Sequence, residues 1–193
     1  MRHGGGTSLI RSATIRDAAR LCEIYAYYVL NTVITCEYTV PTTDEFAGRI
    51  ERTLQKFPYL VLEENGTVIG YAYAGQFKER AAYFRSCELS IYLDRNCRGR
   101  GYGRILYEAL EDELKKAGYL NLYACITSPV AEDEYLTHDS ERFHRHLGFE
   151  TVGEFHNCIC KFGRWYNMIW MEKIVGEHLI ISGPASGSIS KSK

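Results

Sequence analysis

Glu88-Leu89-Ser90-Ile91-Tyr92-Leu93, followed four residues later by Arg98-Gly99-Arg100-Gly101-Tyr102-Gly103-Arg104, is the stretch that decides the fold. In its first half Leu89, Ile91 and Leu93 alternate with Glu88, Ser90 and Tyr92, the period of a strand with one packed face. After the basic turn, Leu106, Leu110 and Leu114 recur at helical spacing, and Gly118 stands where a left-handed cap ends a helix. The first N–H groups of a helix lack intrahelical partners and carry the positive end of its dipole. A glycine-rich turn lets an anion approach them, and Arg98, Arg100 and Arg104 add positive field. The order strand, basic glycine turn, helix therefore predicts a pyrophosphate site. The spacing is Gly-x-Gly-x-Gly, which is neither the ATP-binding P-loop nor the dinucleotide fingerprint.

Leu120 to Ile126 reads as the next strand, and a strand, crossing helix and strand of this length imply a parallel pair. Upstream, a first strand is expected to end near Arg16. Leu21, Ile24, Tyr25, Tyr28 and Val29 then mark a helix that Asp17 can cap. Thr42 with Glu45 forms a capping box for a second helix, striped by Phe46, Ile50, Leu54 and Phe57 and stopped at Pro58. Asn65-Gly66 between the apolar runs 59–62 and 68–74 signals a hairpin. Downstream, 127–138 is a long acidic loop, 140–147 a short helix, and 149–152, 155–161 and 167–172 supply the last strands. Residues 1–12 are expected to be a flexible segment, 13–175 the domain, and 176–193 a disordered, low-complexity tail.

The 193 residues, 46% of them hydrophobic, suffice for one core. With 23 basic against 24 acidic residues there is no broad footprint for nucleic acid or an anionic membrane. No apolar run approaches the ~20 residues needed to span a bilayer. Seven cysteines, an odd number without Cys-x-x-Cys pairs, fit a reducing compartment and place the protein in the cytoplasm. His156, Cys158 and Cys160 lack the second ligand pair of a structural zinc site, so no metal is expected.

Arg98-x-x-Gly101-x-Gly103 after such a strand resembles the coenzyme A loop of the GNAT acetyltransferase superfamily. Ser140-Glu141-Arg142-Phe143-His144-Arg145-His146-Leu147-Gly148-Phe149 is similar to that superfamily's second signature. Lys78-Glu79-Arg80-Ala81-Ala82-Tyr83 and Lys161-Phe162-Gly163-Arg164-Trp165-Tyr166 look like its phosphinothricin acetyltransferase branch. The four motifs keep the family's order, and the similarity runs from about Ile15 to Lys173.

The resemblance implies an α/β (α+β) fold, a mixed twisted β-sheet with helices on both faces and a splayed central strand pair. It implies acetyl-CoA as co-substrate, held by the backbone of Ile91, Tyr92 and Leu93 and by the loop Arg98, Gly99, Arg100, Gly101, Tyr102, Gly103 and Arg104. The acceptor is then the free amine of a small amino acid or analogue of the phosphinothricin or methionine sulfoximine type, met by Lys78, Arg80 and Tyr83. Glu88, a partly buried carboxylate, is the implied general base. His144 stands where many relatives carry a tyrosine that protonates the leaving thiolate, a step histidine can also perform. Glu79 and the acidic insert 131–136 depart from the compact loop of the herbicide-resistance enzymes. Lys161, Gly163 and Trp165 lie where two subunits of the family often meet, so a homodimer is expected. Two other readings remain open at this point: acetylation of protein or peptide N-termini, and a non-catalytic module that senses acyl-CoA.

Overall fold

The computed structural model describes residues 8–179. Its strands are β1 (Ser8–Ser12), β2 (Tyr59–Glu64), β3 (Thr67–Gln76), β4 (Ser86–Leu93), β5 (Asn121–Ser128), β6 (Glu150–Lys161) and β7 (Arg164–Ile174). The helices are α1 (Ala18–Asn31), α2 (Thr43–Leu54), α3 (Tyr102–Lys116) and α4 (Asp139–His146). The strands form one sheet in the order β1-β2-β3-β4-β5-β7-β6. Every neighbouring pair is antiparallel except β4 and β5, which are parallel and joined through α3.

Local chemistry accounts for the elements the sequence announces. Asn65 and Gly66 both take positive φ, +52° and +80°, as the hairpin turn between β2 and β3 requires. The Glu45 N–H donates to Thr42 Oγ1 at 3.2 Å while the Glu45 carboxylate accepts from the Thr42 N–H at 2.7 Å, so the capping box starts α2. The β4 alternation holds as well. Cys87 and Leu89 pack with Leu106, Tyr107, Leu110 and Leu114 of α3 on one side of the sheet. On the other side Leu21, Ile24, Tyr25 and Tyr28 of α1, with Phe46 and Ile50 of α2, cover Tyr59, Val61 and Tyr71.

Three boundaries differ from the sequence reading. Residues 8–12, expected to be flexible, form β1, paired from Ser8↔Glu64 to Ser12↔Leu60, and the first strand ends there instead of near Arg16. Only Leu9 and Ile10 give it an apolar signal; Arg11 ties it down by reaching Asp17 at 2.7 Å and Glu63 at 2.6 Å. That pairing, with the bond from the Thr14 N–H at 2.7 Å, takes up the Asp17 carboxylate, which makes no side-chain cap to α1. The interrupted pieces expected after Phe149 are one long strand, β6, whose two register shifts absorb Gly153 and the positive φ of Asn157. Beyond β7, the Val175 N–H bonds Leu120 O at 2.9 Å and His178 meets Asn121 at 2.8 Å. The rest of the expected tail and residues 1–7 lie outside the described residues.

The β4–β5 ladder has only three positions, Ser86↔Asn121, Cys87↔Leu122 and Glu88↔Tyr123, although each strand runs eight residues. Beyond Glu88 the two strands part. Leu93, at the far end of β4, packs over Gly70, where an added Cβ would overlap the Leu93 side chain and stand 3.1 Å from Tyr92 O. Gly70→Ala is therefore expected to lower stability by about 1–3 kcal/mol, measured by urea unfolding, and to push Leu93 toward the opening between the strands.

Candidate active site

Where β4 and β5 diverge, the β4 backbone from Leu89 to Leu93 has no strand partner on the β5 side among the described residues. Buried backbone N–H and C=O groups demand partners, so this edge is a ready ladder for an extended ligand bearing amides. The wedge is walled by Leu89, Ser90 and Ile91 of β4, Ala124 to Thr127 of β5, Ser140 and His144 of α4, and Ile34 from the loop after α1. Through Ile34, Ile91 and Ser140 it continues into a groove of about 810 Å³, lined by Leu93, Arg98, Gly99, Gly101, Tyr102, Gly103 and Arg104.

Gly101 caps the N-terminus of α3 with φ +82°, a conformation open to glycine, and leaves the first N–H groups of the helix facing the groove. The Arg98 guanidinium lies 5.3 Å from the Tyr28 ring, whose hydroxyl donates to Leu93 O at 2.5 Å. Arg100 stands apart from the rest of the loop. It turns to Glu64 at 2.8 Å, where the Tyr102 hydroxyl also donates, so Arg98 and Arg104 supply the positive field of the groove itself. The Tyr92 ring packs among Tyr25, Tyr28 and Tyr71 and meets the wedge from the α1 side.

Glu88 occupies the last paired position before the wedge opens. Burial raises its pKa from the ordinary carboxylate value, and the nearby Lys78 ammonium opposes that shift. Lys78 lies 4.9 Å from the Phe77 ring and 5.2 Å from Trp170, and Phe77 stacks on Tyr123 at 4.0 Å. Tyr83 meets Phe77 edge-on at 5.7 Å, while Arg80 is exposed on the connecting loop. The structure thus brings Lys78 and Tyr83 to an aromatic patch beside Glu88, while Arg80 is exposed on the same loop.

His144 is 4% exposed. Its Nδ1–H donates to Ser140 O at 2.7 Å, which leaves Nε2 to accept the Tyr107 hydroxyl at 3.1 Å. Burial drives its pKa down to about 4, so the imidazole is neutral at pH 7. Tyr107, a buried core residue of α3, is this partner; a contact 37 positions distant leaves no local signal.

Two further groups named from the sequence have contacts that leave no local signal for the same reason. Lys161, 1% exposed, donates through Nζ to Thr32 O and Thr35 O, both at 2.8 Å. It clamps the loop that carries Ile34 into the wedge. The acidic insert is equally tethered: Asp133 and Glu134 bind Arg164 at 2.9 Å, Asp133 accepts from Tyr166 at 2.8 Å, and Tyr135 stacks on Phe162 at 4.5 Å.

All seven cysteines are free. Cys87 faces α3, its pKa pushed up to about 12 by burial, and is no nucleophile. Among the described residues no group of three or more His, Cys, Asp or Glu is placed to hold a metal, and no helix is long and apolar enough to cross a membrane.

Residues 10–170 match the model of the acetyltransferase (GNAT) domain. The chain belongs to the GNAT acetyltransferase family. Like other GNAT enzymes it has relatives of known activity. It is 35% identical over 170 residues to the L-methionine sulfoximine/L-methionine sulfone acetyltransferase of Salmonella typhimurium, covering 88% of this chain and 95% of that one. It is 30% identical to the phosphinothricin N-acetyltransferase of Streptomyces viridochromogenes, over 82% and 83% of the two chains. A GNAT phosphinothricin acetyltransferase from Sinorhizobium meliloti, solved in complex with acetyl-CoA, superposes with a TM-score of 0.83 at 35% identity, over 95% and 96% of the chains. The open seven-stranded mixed sheet with helices on both faces is the GNAT fold.

The His144 environment has a consequence for stability. With the pKa lowered from 6.5 to about 4, the stabilisation from the neutral imidazole is complete above pH 6.5 and lost as pH falls toward 4. The loss amounts to about 3 kcal/mol. Urea unfolding between pH 7 and pH 4 should show a steeper decline for the native chain than for His144→Gln.

Proposed function

We propose that the protein transfers an acetyl group from acetyl-CoA to the α-amine of a small amino acid or amino-acid analogue, with Glu88 as general base. The observation that carries this reading is the placement of Glu88: a half-buried carboxylate of raised pKa at the apex of the wedge, where the ladder ends and an acyl group held along β4 would stop. The residues present fit acetyl-CoA. The unpaired edge from Leu89 to Leu93 offers amide partners to the pantetheine, and the α3 N-terminus with Arg98 and Arg104 faces the phosphates. The relatives named above act on methionine sulfoximine, methionine sulfone and phosphinothricin, which supports an amino-acid acceptor.

Glu88 takes a proton from the acceptor ammonium, directly or through one water, and so frees the nitrogen lone pair. Acetyl-CoA, when bound, supplies the activated acetyl: the C–N bond forms as the C–S bond breaks, and the thiol regains a proton in place of the one the amine loses. Lys78 keeps the Glu88 pKa from rising further and offers its ammonium to the acceptor carboxylate. Tyr83 and Arg80 extend that surface outward. His144, neutral and bonded at both nitrogens, serves as a positioning residue in the wedge wall, which leaves the thiolate to take its proton from the attacking nitrogen as the amide forms, directly or through water.

Exposed Val152, Phe155 and Trp165 along β6 and β7 support a homodimer through that edge. Seven free thiols support a cytoplasmic location.

Glu88→Gln is expected to lower kcat by about 10²-fold or more and to leave acetyl-CoA affinity nearly unchanged, as read by chromatographic CoA release and by titration calorimetry. Unchanged turnover near neutral pH removes Glu88 from the mechanism. Replacing Lys78 removes the charge that lowers the Glu88 pKa, so Lys78→Met should move the acidic limb of the kcat/KM profile to higher pH; a limb that stays or moves down contradicts the pairing.

A further inference from the structure

Glu64, the last residue of β2, lines neither the wedge nor the groove, yet two residues of the glycine-rich turn before α3 converge on it. Arg100 meets its carboxylate with both terminal nitrogens, at 2.8 and 3.2 Å, and the Tyr102 hydroxyl donates to the oxygen that makes the shorter of these contacts. The Arg100 guanidinium also lies 4.8 Å from the Tyr102 ring, which lines the groove. The Tyr102 hydroxyl most of all, and Arg100 with it, lower the Glu64 pKa, so the group is ionised at neutral pH.

The turn has little else to hold it. Gly99 and Gly101 take positive φ, +74° and +82°, and among the described residues Arg98, Gly99 and Arg100 form no main-chain hydrogen bond. A glycine-rich segment without such bonds has much conformational freedom to lose when a ligand orders it. Glu64, by contrast, is fixed: it pairs with Ser8 of β1 and with Thr67 of β3, and it precedes the Asn65-Gly66 turn. The rigid end of one hairpin thus reaches across to a turn that cannot order itself.

We propose that Glu64 is a positioning residue for the acyl donor: by holding Arg100 and Tyr102 it keeps the turn in the form in which Arg98 and the first N–H groups of α3 face the groove, so that the diphosphate of acetyl-CoA meets a site already ordered. The proposal rests on the reading that acetyl-CoA lies in this groove, and it makes Arg100 a strut of the turn instead of a phosphate ligand. Its sign sets it apart from simple electrostatics. If Glu64 were only a negative charge near the diphosphate, or a trap that withholds Arg100 from it, neutralising Glu64 would tighten binding; as the anchor of a strut, its loss weakens binding.

The test is the Kd of acetyl-CoA, by titration calorimetry, for the native chain, Glu64→Gln, Arg100→Met and the double variant, together with turnover of S-acetylpantetheine, a donor that lacks the diphosphate. Glu64→Gln is expected to weaken acetyl-CoA binding about tenfold. Arg100→Met should lose a similar amount, and the double variant no more than the weaker single variant, because both act through one tie. With methionine sulfone as acceptor, kcat/KM for S-acetylpantetheine should be the same in Glu64→Gln as in the native enzyme, which a general disturbance of the fold would not allow. Unchanged or tighter acetyl-CoA binding in Glu64→Gln overturns the proposal, as do losses that multiply in the double variant or an equal loss with S-acetylpantetheine. A native chain that acetylates methionine sulfone from neither donor counts against the amino-acid reading alone, and calorimetry still decides the role of Glu64. A native chain that does not bind acetyl-CoA overturns the placement of the donor, and this proposal with it.

Discussion

The structure depends on one constraint: two central parallel strands that pair for three positions and then separate while each continues for several residues. A buried backbone edge demands hydrogen-bond partners, and in the proposed function a ligand takes the place of another strand. Everything around the divergence maintains it. On one side α3 packs Leu106, Tyr107 and Leu110 against β4; on the other the Tyr28 hydroxyl holds Leu93 O and keeps the end of β4 from swinging toward β5. The same α3 that fills the core presents its N-terminus to the groove, so the packing that opens the wedge also aims the positive end of a helix dipole along it.

The walls of the site are held by long-range polar contacts. A lysine buried without a carboxylate partner is costly, because an ammonium loses most of its hydration there. Lys161 offsets part of that cost through two backbone carbonyls of one loop, which fixes Ile34 against the wedge. The acidic insert is anchored to the β6–β7 hairpin through Arg164 and Tyr166, and to α4 through the Glu132–Arg142 pair at 3.1 Å. At Glu88 two effects oppose each other: burial raises the carboxyl pKa and the Lys78 ammonium lowers it.

Much of this was legible in the sequence where the signal is local. The β4 alternation, the glycine turn, the stripe of α3, the Asn65-Gly66 hairpin and the capping box at Thr42 each depend on residues within a few positions of one another, and each holds. Two kinds of feature were not legible. β1 has too few apolar residues to stand out, and it exists because β2 offers it an edge and Arg11 a pair of carboxylates. Arg100 looked like its neighbours Arg98 and Arg104, and only the proximity of Glu64, 36 positions away, turns it from the groove. His144 was singled out from the sequence as a candidate to protonate the thiolate; its neutrality follows from burial, and its bond to Tyr107 spans 37 positions, and sequence spacing reveals neither.

The central claim is that the unpaired edge of β4 is where acetyl-CoA lies. The most direct measurement is amide hydrogen exchange across Leu89–Leu93 with and without acetyl-CoA. The account predicts that amides on the β5 side of this segment exchange readily in the free protein and become strongly protected on binding, together with those at the start of α3. Protection at α3 alone, with the β4 edge unchanged under saturating acetyl-CoA, would contradict it.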